Sequence, residues 1–367
     1  MNNKTRLLLT LTSLSWLLLA CVPQAEPPSR IMAPTAVPSP VRTDSDVLKV
    51  MTHDSFRISE EVLQVFQSEN NTRVQFLKAG DTGTALNKAI LTRDTPLADV
   101  FYGVDNTFLS RALEEDIFEP YSPPQLDNIP DEYKLDPESR AIPVDYGDVC
   151  LNYDKSYFSE NNLKPPETLE ELLKPAYKSL LVVENPAISS PGLAFMLATI
   201  GHFGPDGFLD FWSGLVANDV LVVNDWETAY YTEFSGSSGR GPRPIVVSYD
   251  SSPAFEFIFA ETPIDEPPTA AVVSDESCFR QIEFVGILKG SERPDLARKW
   301  IDFMLSPTFQ EDMPLQMAVF PVNPDAKLDE GFNRFLVLPE KTATLKPEEI
   351  AANREVWIEA WMETVLR

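Results

Sequence analysis

The stretch VLKVMTHDSF, residues 47–56, decides the fold class, because an apolar run is followed immediately by a group of polar side chains. Val47 to Met51 has the length and the apolar content of a short buried strand. The next segment, Ser59 to Ser68, repeats apolar residues at helical spacing, and Ser59 is a suitable N-cap. A buried strand that leads into an amphipathic helix is the repeating unit of α/β proteins.

The same alternation continues beyond this first unit. Strands are predicted at Arg73–Leu77 and Ala98–Tyr102, and helices at Thr84–Thr92 and Asn106–Glu114. Strands that are separated by helices usually pair in parallel. The sequence therefore predicts an α/β fold with two mainly parallel sheets.

A second α/β unit is joined to the first by strands that cross between them. Asp148 to Tyr153 leads out of the first unit, and Arg280 to Leu288 leads back. Two units joined in this way predict two lobes around a central cleft, with a hinge near Asp145–Tyr146 and Glu283–Val285. The predicted boundaries are residues 47–144 plus 284–367 for lobe 1 and residues 145–283 for lobe 2.

Polar and aromatic side chains follow the predicted strands, where the ligands of open α/β sheets bind. Aromatic faces attract a positive charge by about 0.5–2 kcal/mol each, and a carboxylate pairs with it directly. This mixture favours a flat organic cation as the ligand. A structural interpretation is open for each residue, since Asp54, Asp81 and Asp105 could be helix caps and Trp226 could be core packing. The residues concerned are His53, Asp54, Ser55, Asp81, Asp105, Asp145, Tyr146, Ser189, Trp226 and Tyr249.

The first 46 residues carry the features of an export signal and a tether. Lys4 and Arg6 precede an apolar run from Leu7 to Leu19, which is too short for a comfortable membrane span of about 20 residues. Leu18-Leu19-Ala20-Cys21 is similar to the lipobox of bacterial lipoproteins, so we expect removal of residues 1–20 as a signal peptide and lipidation of Cys21. Residues 21–46 are rich in Pro, Ser and Thr, which predicts an extended tether.

Composition and charge narrow the class of protein further. The chain has 367 residues, of which 43% are hydrophobic, so it can bury a sizeable core. A formal net charge of −26 makes nucleic acid a poor partner, because phosphate contacts need basic patches. Cys150 and Cys278 could form a disulfide in an exported protein or remain two buried thiols. The sequence has two histidines and lacks the His and Cys spacings of common metal sites.

Several short segments of the chain occur in the order typical of one protein family. They are MTHDSF at 51–56, PVDYG at 143–147, SSPGL at 189–193, WETAY at 226–230 and FPVNP at 320–324. With these segments, residues 47–367 resemble the periplasmic thiamine-binding proteins of ABC importers. The resemblance implies a two-lobed fold of the type II periplasmic-binding-protein class, no catalysis, and delivery of a small cation to an ABC permease. It also implies an exported monomer, free in the periplasm or lipid-anchored at the outer face of the cell membrane.

The resemblance also implies which residues contact the ligand. The ligand would be thiamine, a thiamine phosphate, a pyrimidine precursor or another cation, and no cofactor is implied besides it. Trp226 and Tyr249 would face its rings, Asp54 and Asp81 would supply charge, and Ser189 would hydrogen-bond to it. The complete set of expected ligand contacts is Asp54, Ser55, Asp81, Asp145, Tyr146, Ser189, Trp226, Tyr230, Tyr249 and Phe255.

The chain departs from the family at several aromatic positions. His53 and Phe255 stand where the family usually has tyrosine, and Ala318 stands where it has tryptophan. Another tryptophan of the family has no equivalent in residues 57–61. Fewer stacking contacts weaken the binding of a flat cation, so the exact ligand is less well determined than the fold.

Two other functions remain open at the level of sequence. A ferric-iron receptor of the same fold, or a receptor for another small cation such as a polyamine, is one alternative. It rests on the adjacent pair Tyr230-Tyr231, because tyrosinate oxygens can bind Fe³⁺. An exported enzyme is the other, with Asp54 and Asp81 as paired acid and base.

Overall fold

The computed structural model describes residues 47–237 and 241–367. The signal peptide, the lipidation site Cys21 and the tether therefore lie outside the described residues. Within the described part of the chain, no helix has both the length and the apolar character needed to cross a membrane.

The first unit alternates strands and helices as predicted. Its N-cap prediction is confirmed, because the Ser59 side chain accepts a hydrogen bond from the backbone N–H of Val62. The elements are β1 (Val47–Thr52), α1 (Glu60–Glu69), β2 (Arg73–Lys78), α2 (Thr82–Leu91), β3 (Val100–Asp105), α3 (Leu109–Glu114) and β4 (Phe118–Glu119).

The second unit begins with one unbroken crossing strand of 13 residues, which contains the predicted segment Asp148–Tyr153. A π-helical turn spans Thr228–Glu233. The other elements are β5 (Ile142–Asp154), α4 (Lys155–Glu160), β6 (Leu181–Glu184), α5 (Ser190–Phe203), α6 (Phe208–Ala217), β7 (Leu221–Val223), β8 (Ile245–Tyr249), α7 (Ser252–Ile258) and β9 (Thr269–Val272).

The chain then returns along a second long strand and ends in helices. The elements are β10 (Phe279–Leu288), α8 (Pro294–Met304), α9 (Pro307–Met317), β11 (Phe320–Pro321), α10 (Glu330–Phe335) and α11 (Pro347–Val365).

The α/β class is confirmed, but the prediction of two mainly parallel sheets is wrong in its detail. The strands of the described residues form one hydrogen-bonded sheet in the order β2-β1-β3-β10-β5-β8-β6-β7, with the short strands at its sides. Pairing is parallel at the two ends, in β2-β1-β3 and in β8-β6-β7. In the middle, β10 and β5 run antiparallel to their neighbours. Strand β10 pairs with β3, strand β5 pairs with β8, and β10 and β5 pair with each other, so the two long strands join the two ends into one sheet.

The crossing strands are irregular at the predicted hinge. Asp145 lies opposite Glu283, and the β5–β10 register shifts directly after Glu283. The β3–β10 register shifts one residue later, after Phe284. Irregular pairing leaves fewer ladder hydrogen bonds to resist bending, which supports this position for a hinge. The division into two lobes stays a prediction.

The last helix contacts a loop of the first unit and a helix of the second. Near its middle, Arg354 donates a hydrogen bond to the carbonyl of Thr107, just beyond β3. Near its end, Trp361 packs edge-to-face on Trp212 of α6, with ring centroids 5.3 Å apart. Both tryptophans are fully buried. Helix α11 therefore contacts both predicted lobes, although the sequence assigned it to lobe 1.

Cys150 and Cys278 form a disulfide, which decides between the two alternatives left open by the sequence. Cys150 lies in β5, and Cys278 immediately precedes β10. Their neighbours Val149 and Phe279 are paired in the sheet, so the bond joins the two crossing strands on one side of the hinge.

Candidate ligand-binding site

One cavity lies across the crossing strands, at the ends of β1, β8 and β6. It encloses about 730 Å³ of space free of protein atoms, counted together with the part open to solvent. The lining residues are His53, Ser55, Arg57, Asp81, Thr82, Ser190, Pro191, Trp226, Glu227, Tyr230, Tyr231, Tyr249, Ser252, Phe255, Glu283, Gln316, Met317, Ala318 and Val319.

One wall of the cavity is aromatic. The Trp226 ring stacks on Tyr230, with centroids 4.9 Å apart and planes 15° apart. The Tyr249 ring stands at 63° to Trp226, with its centroid 6.4 Å away. The indole Nε1 of Trp226 donates to Ser248 Oγ at 3.0 Å, which fixes the orientation of the indole. These rings offer faces and edges on which a flat ligand can pack.

A glycine in the crossing strand makes room for this wall. A Cβ at Gly147 would lie 2.8 Å from the Tyr249 ring, which is too close for any side chain there. Gly147, in the PVDYG segment, therefore leaves space for the Tyr249 ring, although Gly147 itself does not line the cavity.

Asp81 supplies a carboxylate at the opposite wall. Its Oδ1 accepts the backbone N–H of Thr82 at 2.7 Å, so that it caps α2. Its Oδ2 accepts the backbone N–H of Trp226 at 3.3 Å. Burial raises the pKa of Asp81 above its usual value, while these two hydrogen bonds and the charge of His53 oppose that rise. Asp81 is both a helix cap and a cavity residue, so its role as a cap does not exclude a contact with a ligand.

The floor of the cavity holds a second carboxylate, Glu283. Its Oε1 lies 3.3 Å from Nε2 of His53. Beneath it, the Tyr102 hydroxyl lies 2.6 Å from Asp145 Oδ2 and 3.1 Å from Glu283 Oε2. All four side chains are buried, and they lie at the predicted hinge.

The charges of this buried group are unequally distributed. Burial raises the pKa of Asp145 well above its usual value, and the nearby Glu283 charge raises it further. Burial acts in the same direction on Glu283, but the charge and hydrogen bond of His53 hold its pKa below the usual value. Because two adjacent buried carboxyls do not both ionise easily, Glu283 carries the negative charge and Asp145 the proton.

The two walls of the cavity are in direct contact below the mouth. Ser190 Oγ donates to Thr82 Oγ1 at 3.2 Å, and Gln281 Nε2 donates to Ser190 Oγ at 3.1 Å. At the mouth, Arg57 pairs with Glu227 at 2.8 Å. That pair is substantially exposed, and pairs of this kind contribute little. The structure therefore describes a closed cleft.

Six of the predicted ligand contacts line the cavity. They are Ser55, Asp81, Trp226, Tyr230, Tyr249 and Phe255. They come from four separate parts of the chain, and the continuous sheet brings them together.

The other four predicted contacts lie outside the lining. Asp54 is exposed, and its Oδ1 accepts the backbone N–H of Gly80 at 2.9 Å, so it holds a loop instead. Asp145 is fully buried below Glu283. Ser189 is fully buried as the residue that precedes α5, and its neighbour Ser190 reaches the cavity instead.

Tyr146 is the fourth of these, and an aromatic stack holds it away from the cavity. Its ring packs on Tyr133 and on Phe320, with centroids 4.8 Å and 5.2 Å away. Arg280 lies over the same ring at 5.0 Å. Tyr146 therefore belongs to the packing around the crossing strands.

All three positions that depart from the family resemblance line the cavity. His53 lies at the floor beside Glu283, and Phe255 belongs to the aromatic side. Ala318 ends α9 in a left-handed conformation, with φ of 55°. These three substitutions therefore change the lining of the cavity and leave the fold unaltered.

Sequence reasoning missed several cavity residues. Glu283 was assigned only to the hinge, yet a charged residue with apolar neighbours on both sides, Ile282 and Phe284, is a signal of a buried polar site. Met317 and Val319 were missed because α9 was not predicted at all. Its sequence contains Pro314 and lacks a clear apolar stripe.

The cavity fits an organic ligand better than a metal. Among the described residues, no group of three or more His, Cys, Asp or Glu side chains is arranged to hold a metal ion. Tyr230, one of the two tyrosines behind the ferric alternative, donates its hydroxyl hydrogen to Glu256. Burial raises the pKa of Tyr230 well above its usual value, which disfavours the tyrosinate that Fe³⁺ would need.

A concave site at the strands that cross between two parts of an α/β fold is typical of proteins that bind a small solute. Residues 95–338 match the profile of the bacterial extracellular solute-binding proteins, and the chain belongs to that family. The thiamine-binding periplasmic protein of Salmonella typhimurium is 31% identical over 326 residues, covering 88% of this chain and 94% of that protein. The chain is thus an exported solute-binding protein of the class that serves ABC importers.

Solved structures agree with this assignment. A periplasmic thiamin binding protein superposes with a TM-score of 0.77 at 28% identity, covering 88% of this chain and 96% of that one. A ferric binding protein from Campylobacter jejuni superposes with a TM-score of 0.69 at 18% identity, covering 86% and 99%. The second likeness concerns the fold alone. The predicted type II class is confirmed.

Proposed function

We propose that this protein binds thiamine, or a closely related thiamine phosphate or pyrimidine cation, and delivers it to the permease of an ABC importer. The observation that carries the proposal is the joint placement of the Asp81 and Glu283 carboxylates and the Trp226 and Tyr249 rings around one cavity. Relatives that match nearly the whole chain are named for binding thiamine, which supports the same ligand class.

The chemistry of thiamine matches the two kinds of wall. Its thiazolium ring carries a permanent positive charge, and its aminopyrimidine ring is flat and donates hydrogen bonds. We expect the rings to pack against Trp226 and Tyr249, where each cation–π contact contributes about 0.5–2 kcal/mol. We expect the positive charge to lie toward Glu283 and the amino group toward Asp81, since charge-assisted hydrogen bonds are the stronger ones.

Calorimetry with a small series of compounds tests the ligand class. Native mass spectrometry first identifies any compound that copurifies, and the protein is then titrated with thiamine, its phosphates and hydroxymethylpyrimidine. Thiamine or one of its phosphates should bind at least tenfold more tightly than hydroxymethylpyrimidine, which lacks the permanent charge; tenfold corresponds to about 1.4 kcal/mol. Absence of binding by all four compounds would overturn the proposal.

The receptor is proposed to act without chemical conversion of its ligand. Asp54, one member of the acid–base pair that an enzyme would need, is exposed and bonded to Gly80. Thiamine incubated with the protein should be recovered unchanged by chromatography. A new product that depends on the protein would favour the exported enzyme.

Anchoring through Cys21 and a monomeric state complete the proposal. Lipid on one cysteine, followed by the tether of residues 22–46, would hold the receptor close to its permease. Wild-type protein should partition into detergent and incorporate labelled fatty acid, and Cys21→Ser should do neither. The soluble form without residues 1–21 should elute as a monomer from gel filtration.

Closure on the ligand is expected to make the protein more compact. The contacts from Ser190 to Thr82 and from Trp226 to Asp81 join the two walls only in a closed cleft. Ligand that binds the closed state more tightly shifts the population toward it. Small-angle scattering should show a smaller radius of gyration with thiamine than without it, and an unchanged radius would contradict closure.

A further inference from the structure

His53 occupies the position in the cleft where a cationic ligand would find its counter-charge. The imidazole lines the cavity, and its Nε2 lies 3.3 Å from Glu283 Oε1. Gly103 makes room for it, because a Cβ there would lie 2.4 Å from Cδ2 of the ring. Gly103 has a φ of 103°, a conformation that other residues rarely adopt. The backbone is thus shaped to seat this ring against Glu283.

The surroundings of His53 are strongly acidic. Carboxylates approach it from β10, from the start of α2 and from its own loop, and their charges raise its pKa even though burial alone would lower it. Below it, burial raises the pKa of Asp105 to about 7, and the Glu283 charge adds to the rise. The titratable and charged groups around it are Glu283, Asp81, Asp54, Tyr102, Asp145, Asp105, Tyr249, Glu227, Arg57 and Lys78.

The two other nearby cations are held at the rim. Arg57 donates to the carbonyls of Asp54 and Phe56 and pairs with Glu227. Lys78 donates to the carbonyl of Asp54 at 2.8 Å. His53, when protonated, is therefore the cation placed to neutralise Glu283 at the floor of the cleft.

We propose that His53 selects cationic ligands by exchange: a ligand cation that binds beside Glu283 displaces the proton of His53, which leaves to solvent through the mouth of the cleft. The proposal rests on the proposed function, because it requires an organic cation in this cavity. Charge is conserved at the floor, since one positive charge leaves as the other arrives. A neutral ligand of similar shape brings no positive charge to replace the proton, so the ion pair between His53 and Glu283 would stay intact.

The exchange makes ligand affinity depend on pH with a definite sign. The empty protein holds the His53 proton more tightly than the loaded protein, because the ligand charge repels it. Between the two pKa values of His53, affinity therefore rises with pH, by up to tenfold per pH unit. Below both values and above both, this group contributes no pH dependence.

Calorimetry in two buffers of different ionisation enthalpy measures the proton directly. In phosphate and in Tris, thiamine binding should release protons, and the release should be largest at a pH between the two pKa values of His53. His53→Gln should release fewer protons than the wild type and should bind with a flatter pH profile, the remaining release coming from buried carboxyls such as Asp105. His202→Gln is the matched control, since His202 is the second of two histidines and pairs with Glu170 at 2.8 Å away from the cleft. It should behave as the wild type does.

Proton NMR of the imidazole separates this inference from the proposed function. In His202→Gln protein, His53 is the single histidine, and its titration should move to lower pH when thiamine is added. Thiamine that binds without moving the His53 titration, and without proton release, overturns the exchange but leaves the function intact. If thiamine does not bind while an N-methylthiazolium ion moves the titration, the exchange stands and the function fails. A His53 resonance that neither cation moves overturns the exchange.

Discussion

Replacement of Trp226 by alanine is expected to weaken binding of the preferred ligand at least tenfold, a loss of about 1.4 kcal/mol or more. The indole is held between two neighbours, with Tyr230 stacked on it at 4.9 Å and its Nε1 bonded to Ser248. Its truncation removes a large ring face from the cavity and frees Tyr230 to move. Calorimetry with the compound that binds the wild type most tightly measures the loss.

Trp226→Phe is the matched control for this prediction. Phenylalanine keeps a ring against Tyr230 but loses part of the aromatic face and the hydrogen bond to Ser248, so its affinity should lie between those of the wild type and the alanine variant. Equal melting temperatures for the three proteins would exclude a general loss of folding. If the alanine variant binds the ligand within about twofold of the wild-type affinity, Trp226 is not a ligand contact.

Loss of the Cys150–Cys278 disulfide is expected to produce the largest loss of stability. The two cysteines are 128 residues apart, and closing a loop of this length corresponds to about 5 kcal/mol in the chain-entropy treatment. Native disulfides typically contribute about 2–4 kcal/mol, so a decrease of at least 2 kcal/mol in the free energy of unfolding is expected. Urea unfolding of the double variant Cys150→Ala and Cys278→Ala measures it.

The third cysteine must be removed from this experiment. Cys21 is the remaining one of three, so both proteins should carry Cys21→Ser. A thiol assay on the unreduced protein should then detect no free cysteine. Two free thiols, together with an unfolding midpoint that reductant does not change, would contradict the disulfide.

Long periodic segments explain why much of the fold could be predicted from the sequence. The apolar run Val47–Met51 and the amphipathic stretch Ser59–Ser68 correspond to β1 and α1 within one residue at each end. The short strands β4, β9 and β11 carry too few residues for an alternating pattern. The continuous sheet was missed because long-range pairing, such as Asp145 opposite Glu283, leaves no local signal.

The site was predictable where polar residues directly follow strands, and less so elsewhere. Asp81 and Tyr249 stand after β2 and at the end of β8, and both line the cavity. Asp54 stands in an equivalent position, but its carboxylate bonds to Gly80 and faces solvent. The direction of a single side chain depends on such loop contacts, and sequence spacing does not determine it.

A crystal structure of the protein grown with thiamine tests the central claim most directly. We expect the ligand to lie in the closed cleft, with its rings against Trp226 and Tyr249 and its thiazolium charge toward Glu283. Thiamine bound on an outer surface while these three side chains surround solvent would contradict it.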